Sequence, residues 1–330
     1  MLASLDLKTR ENYGAGLLRF AQYCDTHGIA EEKRCPASEL LLSAFIASWA
    51  GRISHSAVTG WLAGLHFWHS YQGLPWHGSN MLRITSGGVK KLVPSSSKQK
   101  KRPPVSLAHM HALVLQLNAS EGRDAAILAA ACVGFWGVCR LGELVPPSEK
   151  TFDPDIHVSN DVPIRFGITD NGVEHAHFHI PKTKTDSAGA DIHLTAIDDP
   201  SSPITFLRNH CLVNASVTRG APLFAFVVAD SWATLTKEIL LDRCNQAWSH
   251  AGLAPLPGHA FRIGGSTELL LRGIHPDVVM IQGRWKSKAF LEYWRRIDEV
   301  IPLFISNSFA DARVAAVHKT MATYFQSIVT

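Results

Sequence analysis

A chain of 330 residues, 46% of them hydrophobic, can fill the core of one large domain or two ordinary ones. Its longest apolar run, Ala125 to Cys139, is too short to span a bilayer, and the N-terminus lacks the apolar stretch of a secretory signal, so a soluble intracellular protein with no membrane partner is expected. The net charge of +4 hides an asymmetry: residues 1–104 carry thirteen Lys/Arg against six Asp/Glu, and the remainder nineteen against twenty-two.

Residues 1–93 place apolar side chains at helical spacing, at Tyr13, Leu17, Phe20 and Cys24, then Leu42, Phe45 and Trp49, then Val58, Leu62, Leu65 and Trp68, which predicts a small helical bundle. No acidic residue occurs between Glu39 and Glu121, whereas Arg52, Arg83, Lys90, Lys91, Lys98, Lys100, Lys101 and Arg102 do. A one-signed field suits a polyanion, which makes these eight the candidate nucleic-acid contacts; a solubilising charged face is the plain alternative. Gly87-Gly88 and the segment Pro94 to Pro104 lack periodicity and mark a basic linker at 94–105, separating a domain at 1–93 from one at 106–330. The lysine run also fits a nuclear import signal, a pattern of low specificity.

Beyond the linker, helices are predicted over 106–117 and 123–138, followed by β-like runs at 162–168, 175–180 and 192–197. Asn171-Gly172 and Asp186 to Gly189 separate these runs, which reads as a small antiparallel meander. Helical patterns resume near Pro203 and dominate to the end, including a short helix over 287–297 and a terminal stripe of Val314, Val317, Met321, Tyr324 and Ile328. The fold class is therefore mainly α with a small antiparallel sheet. Cys24, Cys35, Cys132, Cys139, Cys211 and Cys244 include no CxxC pair and read as reduced, buried thiols. His175, His177 and His179 share one strand face and could ligate zinc, but an ordinary half-buried strand explains the alternation, so no metal is assigned.

Attack on a phosphodiester builds negative charge on the phosphorus oxygens, and a metal-free site answers it with fixed cations, arginine best of all. Arg140 closes the apolar helix, and Glu143, one turn on, is placed to orient its guanidinium. His259 and Arg262, three apart, share a helix face. Tyr293 sits on the edge of an apolar stripe, where cations or a base could activate a phenol whose ordinary pKa is about 10. Lys184 lies at a turn between strands, from which a flexible ammonium could protonate a leaving oxygen. Taken singly, each feature has a bland reading: a surface ion pair, a chance His-x-x-Arg, a packed tyrosine, an idle lysine.

Together, Arg140, Thr183-Lys184-Thr185, Gly258 to Gly264, Gln282 to Trp285 and Tyr293 to Arg295 resemble the tyrosine recombinase and integrase family, phage integrase-like and of the Cre-like branch. By motif the resemblance covers about 107–297, and more loosely the N-terminal helices. It implies a helical core-binding domain and a mixed α/β catalytic domain closing around duplex DNA. Arg140 and Arg262 would clamp the scissile phosphate, with Glu143 bracing Arg140. Tyr293 would be the nucleophile and Lys184 the general acid. His259 would take the tyrosine proton, and Trp285 fills the position of a second histidine. The implied activity is site-specific strand cleavage and rejoining through a 3′-phosphotyrosine, without ATP, metal or cofactor, by a tetramer on DNA; a type IB topoisomerase-like relaxase or an inactive DNA-binding relative is the alternative. Nuclear residence is expected in a eukaryote.

Overall fold

The computed structural model of the chain describes residues 1–97, 102–184, 186–286, 291 and 295–308. The chain divides into two compact units, Met1–Lys101 and Arg102–Thr330. Each has its own core.

The first unit is four helices: α1 (Leu7–Thr26), α2 (Glu39–Ala47), α3 (His55–Tyr71) and α4 (Asn80–Lys91). Asp6, Ser38 and Ser54 cap the first three, each accepting a hydrogen bond from the main-chain N–H three residues on. The fourth is capped from a distance, because Glu39 Oε1 accepts from the Ser79 and Leu82 main-chain N–H groups and the Ser79 hydroxyl. Helices α1 and α3 meet at two glycines: a Cβ on Gly16 would lie 2.7 Å from Trp61 Cα, and one on Gly64 2.8 Å from the Tyr13 carbonyl oxygen. Phe20, Phe45, Ile46, Leu65 and Val89 fill the space between the helices. Gly87-Gly88, expected to break structure ahead of the linker, lie inside α4. That helix persists because Leu82 and Val89, seven residues apart, bury the same face.

The second unit is built around α6 (Gly122–Trp136), buried on every side from Asp124 to Trp136. Packed on it are α5 (Leu107–Gln116), α8 (Pro203–Val213), α9 (Lys237–His250) and α10 (His259–Leu271), while the one-turn α7 (Leu141–Leu144) follows it directly. Its one buried charge, Asp124, is forked by Arg243 at 2.8 and 2.9 Å. Two glycines bring α10 against this centre: a Cβ on Gly265 would stand 1.8 Å from the Phe135 carbonyl oxygen, and one on Gly264 2.1 Å from that of Val105.

Strands β1 (Arg165–Ile168), β2 (Glu174–Ile180) and β3 (Ala190–Thr195) form an antiparallel sheet in that order. Ala176, Phe178, Ile180, Ile192 and Leu194 face the core. His177 pairs with His193 and His179 with Asp191 across β2 and β3, so the histidines take the opposite face. A second hairpin, β4 (Phe226–Val228) and β5 (Ser231–Ala233), lies within the region where helical patterns were expected to dominate; its three-residue strands are too short for an alternating pattern. Helices α11 (Pro276–Gln282) and α12 (Ile297–Ser308) follow as the last described elements of the unit. All six cysteines are free, but of the six expected to be buried Cys35 is only half-buried and Cys211 is exposed. Cys211 sits on α8 next to His210, whereas the buried side of that helix is Ile204, Phe206, Leu207 and His210. The expected tail stripe from Val314 to Ile328 and most of the short helix at 287–297 lie outside the described residues.

Candidate functional site

The site begins where α6 stops. Val138 takes a left-handed conformation, φ +49°, so that Cys139 N–H can close the helix end on the Gly134 carbonyl at 3.0 Å. A β-branched residue resists this conformation. Arg140 comes next, half-buried, and opens α7.

Glu143 is buried and accepts from the Arg140 main-chain N–H at 2.9 Å and from Arg140 Nη1 at 2.7 Å. Its Oε2 also accepts from Arg284 Nη2 at 2.9 Å. Burial pulls the Glu143 pKa upward, but the Arg284 charge and the Arg140 hydrogen bonds outweigh it and hold the carboxyl below its ordinary range. Arg284 lies in the turn after α11 at φ +57°, and its Nη1 donates to the carbonyls of Gly137 at 3.2 Å and Gln282 at 3.0 Å. The Cys139 thiol sits in the field of these groups, and burial pushes its pKa up, so it stays protonated.

Arg262, in the first turn of α10, is fully buried. Its Nη1 donates to the Val138 carbonyl at 2.6 Å and its Nη2 to the Gly283 carbonyl. The guanidinium stacks over the Trp285 ring at 4.1 Å. That ring needs Gly283, because a Cβ there would fall 1.7 Å from it. Burial, then Arg140 and Arg284, lower the Arg262 pKa, though an arginine keeps its charge at physiological pH. His259, half-buried at the start of α10, has its pKa lowered by burial first and then by Arg102, Arg262, Arg140 and Arg295, so its imidazole is neutral near pH 7.

The structure thus gathers Arg140, Glu143, His259, Arg262 and Trp285 into one cluster. Lys184 stands exposed on the β2–β3 loop, and that loop reaches the cluster's rim where Asp186 pairs with Lys286 at 2.9 Å. Tyr293 lies outside the described residues, as do Lys98, Lys100 and Lys101. Arg52, Arg83, Lys90, Lys91 and Arg102 are exposed; Arg52 lies over the Trp49 ring at 5.0 Å, and Arg83 donates to Asn80 at 2.7 Å. Sequence reasoning missed Arg284, whose only signal was its place between Gly283 and Trp285. Among the described residues no group of three or more His, Cys, Asp or Glu could hold a metal ion, and no helix is long and apolar enough to cross a membrane.

No protein-family model matches the sequence, and no curated protein does. Solved structures do match. The XerH site-specific recombinase bound to palindromic difH substrate, a post-cleavage complex, superposes with a TM-score of 0.54 at 15% identity, over 90% of this chain and 78% of that one. XerH in a pre-cleavage complex gives 0.51 at 13% identity, over 86% and 75%. The chain has the fold of a site-specific recombinase.

The recombinase fold here is mainly α with small antiparallel sheets, and its cationic cluster draws on four separate segments: the end of α6 with α7, the β2–β3 loop at the rim, the start of α10, and the turn after α11. Among the described residues three arginines sit there with one carboxylate, Glu143, between them. A cluster with that imbalance attracts an anion and holds it by several donors at once.

Proposed function

We propose that the chain is a site-specific DNA recombinase or integrase that breaks and rejoins strands through a 3′-phosphotyrosine. The observation that carries this reading is the gathering of Arg140, Arg262 and Arg284 around Glu143, the one carboxylate that the described residues place among them, within a recombinase fold. The similar XerH structures are complexes with their substrate. For this chain the matching ligand is duplex DNA.

In the proposed reaction Arg140, the more open arginine, holds one oxygen of the scissile phosphate. Arg262 exchanges one of its main-chain carbonyl acceptors for a second phosphate oxygen, since a charged oxygen is the stronger acceptor. The Tyr293 hydroxyl attacks phosphorus, forming the Tyr–O–P bond as the bond from phosphorus to the 5′-oxygen breaks. The phenol proton passes to the neutral imidazole of His259, and Lys184 gives a proton to the departing 5′-oxygen. Trp285 can donate its indole N–H to a phosphate oxygen but has no proton to transfer. The phosphotyrosine keeps the bond energy, so a 5′-hydroxyl of another strand can reverse the step without ATP or metal. The first unit then serves as the core-binding domain and the second as the catalytic domain. Arg52, Arg83, Lys90, Lys91, Lys98, Lys100, Lys101 and Arg102 supply phosphate contacts, and four protomers act on paired sites.

A pool of nicked duplexes of random sequence tests this, because cleavage beside the nick releases a short fragment and traps the adduct. Wild-type protein should trap a subset whose sequence names the target. Tyr293→Phe should fold and bind that DNA yet trap none. Failure of the wild type to form any adduct overturns the reading; adduct formed by the variant moves the nucleophile, with Tyr324 the first alternative.

A further inference from the structure

We propose that Arg284 is a positioning residue that couples the Arg140 clamp to the segment leading to Tyr293, an inference that rests on the strand-exchange reading. Its guanidinium joins three pieces of chain. Nη2 donates to Glu143 Oε2 at 2.9 Å, and Nη1 to the Gly137 and Gln282 carbonyls at 3.2 and 3.0 Å. Those partners belong to α7, to the end of α6 and to the last residue of α11. The same residue adopts φ +57°, which makes the bend that lays Trp285 over Arg262.

The division of the Glu143 carboxylate gives Arg284 its role. Oε1 takes the Arg140 guanidinium, while Oε2 is held by Arg284 together with the Arg140 main-chain N–H. Without Arg284, Oε2 loses its side-chain partner and Glu143 can draw the Arg140 guanidinium onto both oxygens. Donors of Arg140 meant for a phosphate are then spent on the carboxylate. The turn carrying Trp285 loses its anchor to Glu143 and Gly137 at the same time. Such a defect falls on the chemical step and spares DNA affinity, because Arg284 itself is mostly buried, its side chain 13% exposed. Lysine cannot substitute fully: its ammonium lacks the planar fork that reaches Glu143 and the two carbonyls together.

The experiment measures single-turnover cleavage at saturating DNA on the duplex selected by the wild-type protein. Arg284→Ala is expected to slow cleavage by about 10- to 100-fold, the scale of a small misplacement of catalytic groups, with DNA affinity within about threefold of wild type. In a Glu143→Gln background the same change should cost much less, since the two residues act as one unit. Guanidinium ion should restore part of the Arg284→Ala rate where sodium at equal ionic strength does not, a response that a purely structural residue would not give. Arg284→Lys, which keeps charge and bulk, should fold and remain at least about fivefold slow, and it decides the matter if the alanine variant does not fold. Wild-type cleavage by Arg284→Lys, or a loss in Arg284→Ala that tracks DNA affinity alone, overturns the inference. Absence of any wild-type adduct instead overturns the strand-exchange reading itself, so the two failures are distinct.

Discussion

Replacing Glu143 by glutamine removes the one negative charge that the described residues place among three guanidiniums, while preserving shape. The carboxylate accepts three hydrogen bonds, at 2.7, 2.9 and 2.9 Å, and only 5% of its side chain is exposed. Its partners are enclosed as well, Arg284 at 13% and Arg140 at 26% exposure. Breaking a buried pair from one side costs about 3–5 kcal/mol. Glutamine keeps a carbonyl oxygen for one or two of the donors, so a loss of about 2–4 kcal/mol is expected. That is a large part of a domain's usual stability of about 5–15 kcal/mol but leaves it folded. The folded-state pKa of Glu143 is depressed, so its contribution is fully present above the unfolded value near 4.5 and is lost as pH falls through the lower folded value. The gap between wild type and variant should therefore be widest near neutrality and narrow below about pH 4.5. Hydrogen exchange of the α6 and α10 amides reads this gap, with α1 and α3, which belong to a separate core, as the internal reference. Protection unchanged within about 0.5 kcal/mol, or a gap that widens as pH falls, would refute the reasoning.

The glycines divide sharply: Gly265→Ala, whose Cβ would meet a backbone oxygen at 1.8 Å, should destabilise the second unit by at least about 2 kcal/mol. Gly87→Ala, with nothing within 4 Å and a helical setting, should stabilise the first unit by about 0.5–1 kcal/mol in urea unfolding. Cleavage should lose rate only as pH falls below 6.5, because burial and the surrounding arginines hold the His259 pKa under that value; an acid limb at or above 6.5 in the single-turnover pH profile would exclude it as the base. Lys90→Ala with Lys91→Ala should reduce the slope of log affinity against log salt by roughly 0.9 for each phosphate left without its cation, and an unchanged slope would remove α4 from the DNA interface.

The parts legible in the sequence were those that act over one or two helical turns or along one strand. The run from Ala125 announced α6, the separation of Arg140 from Glu143 matched a helical turn, and the β2 alternation put Phe178 inside and His177 outside. The contact of Glu143 with Arg284 spans 141 positions and leaves no periodic trace, so Arg284 could be placed only by folding. Val138 was opaque for the opposite reason: its side chain argues against the left-handed conformation it adopts. At Gly16 and Gly64 a neighbouring helix backbone approaches, a contact that the spacing of apolar residues does not register.

That left-handed Val138 has a physical use. The conformation costs about 1–2 kcal/mol, and it accompanies a carbonyl that accepts from Arg262 at 2.6 Å and, more weakly, from Arg284 at 3.4 Å. Buried guanidiniums must have acceptors. Carboxylates would satisfy them but would cancel the charge that an incoming phosphate needs. Here the carbonyls of Gly137, Val138, Gln282 and Gly283 supply most of the acceptors, and two of them lie at the end of α6, where the helix dipole adds a partial negative charge. Neutral acceptors take several of the buried guanidinium donors and leave the net charge untouched. A cluster built to be stable on its own would pair each arginine with an acid; among the described residues this one sets Glu143 and neutral carbonyls against three arginines, an arrangement that favours an anion.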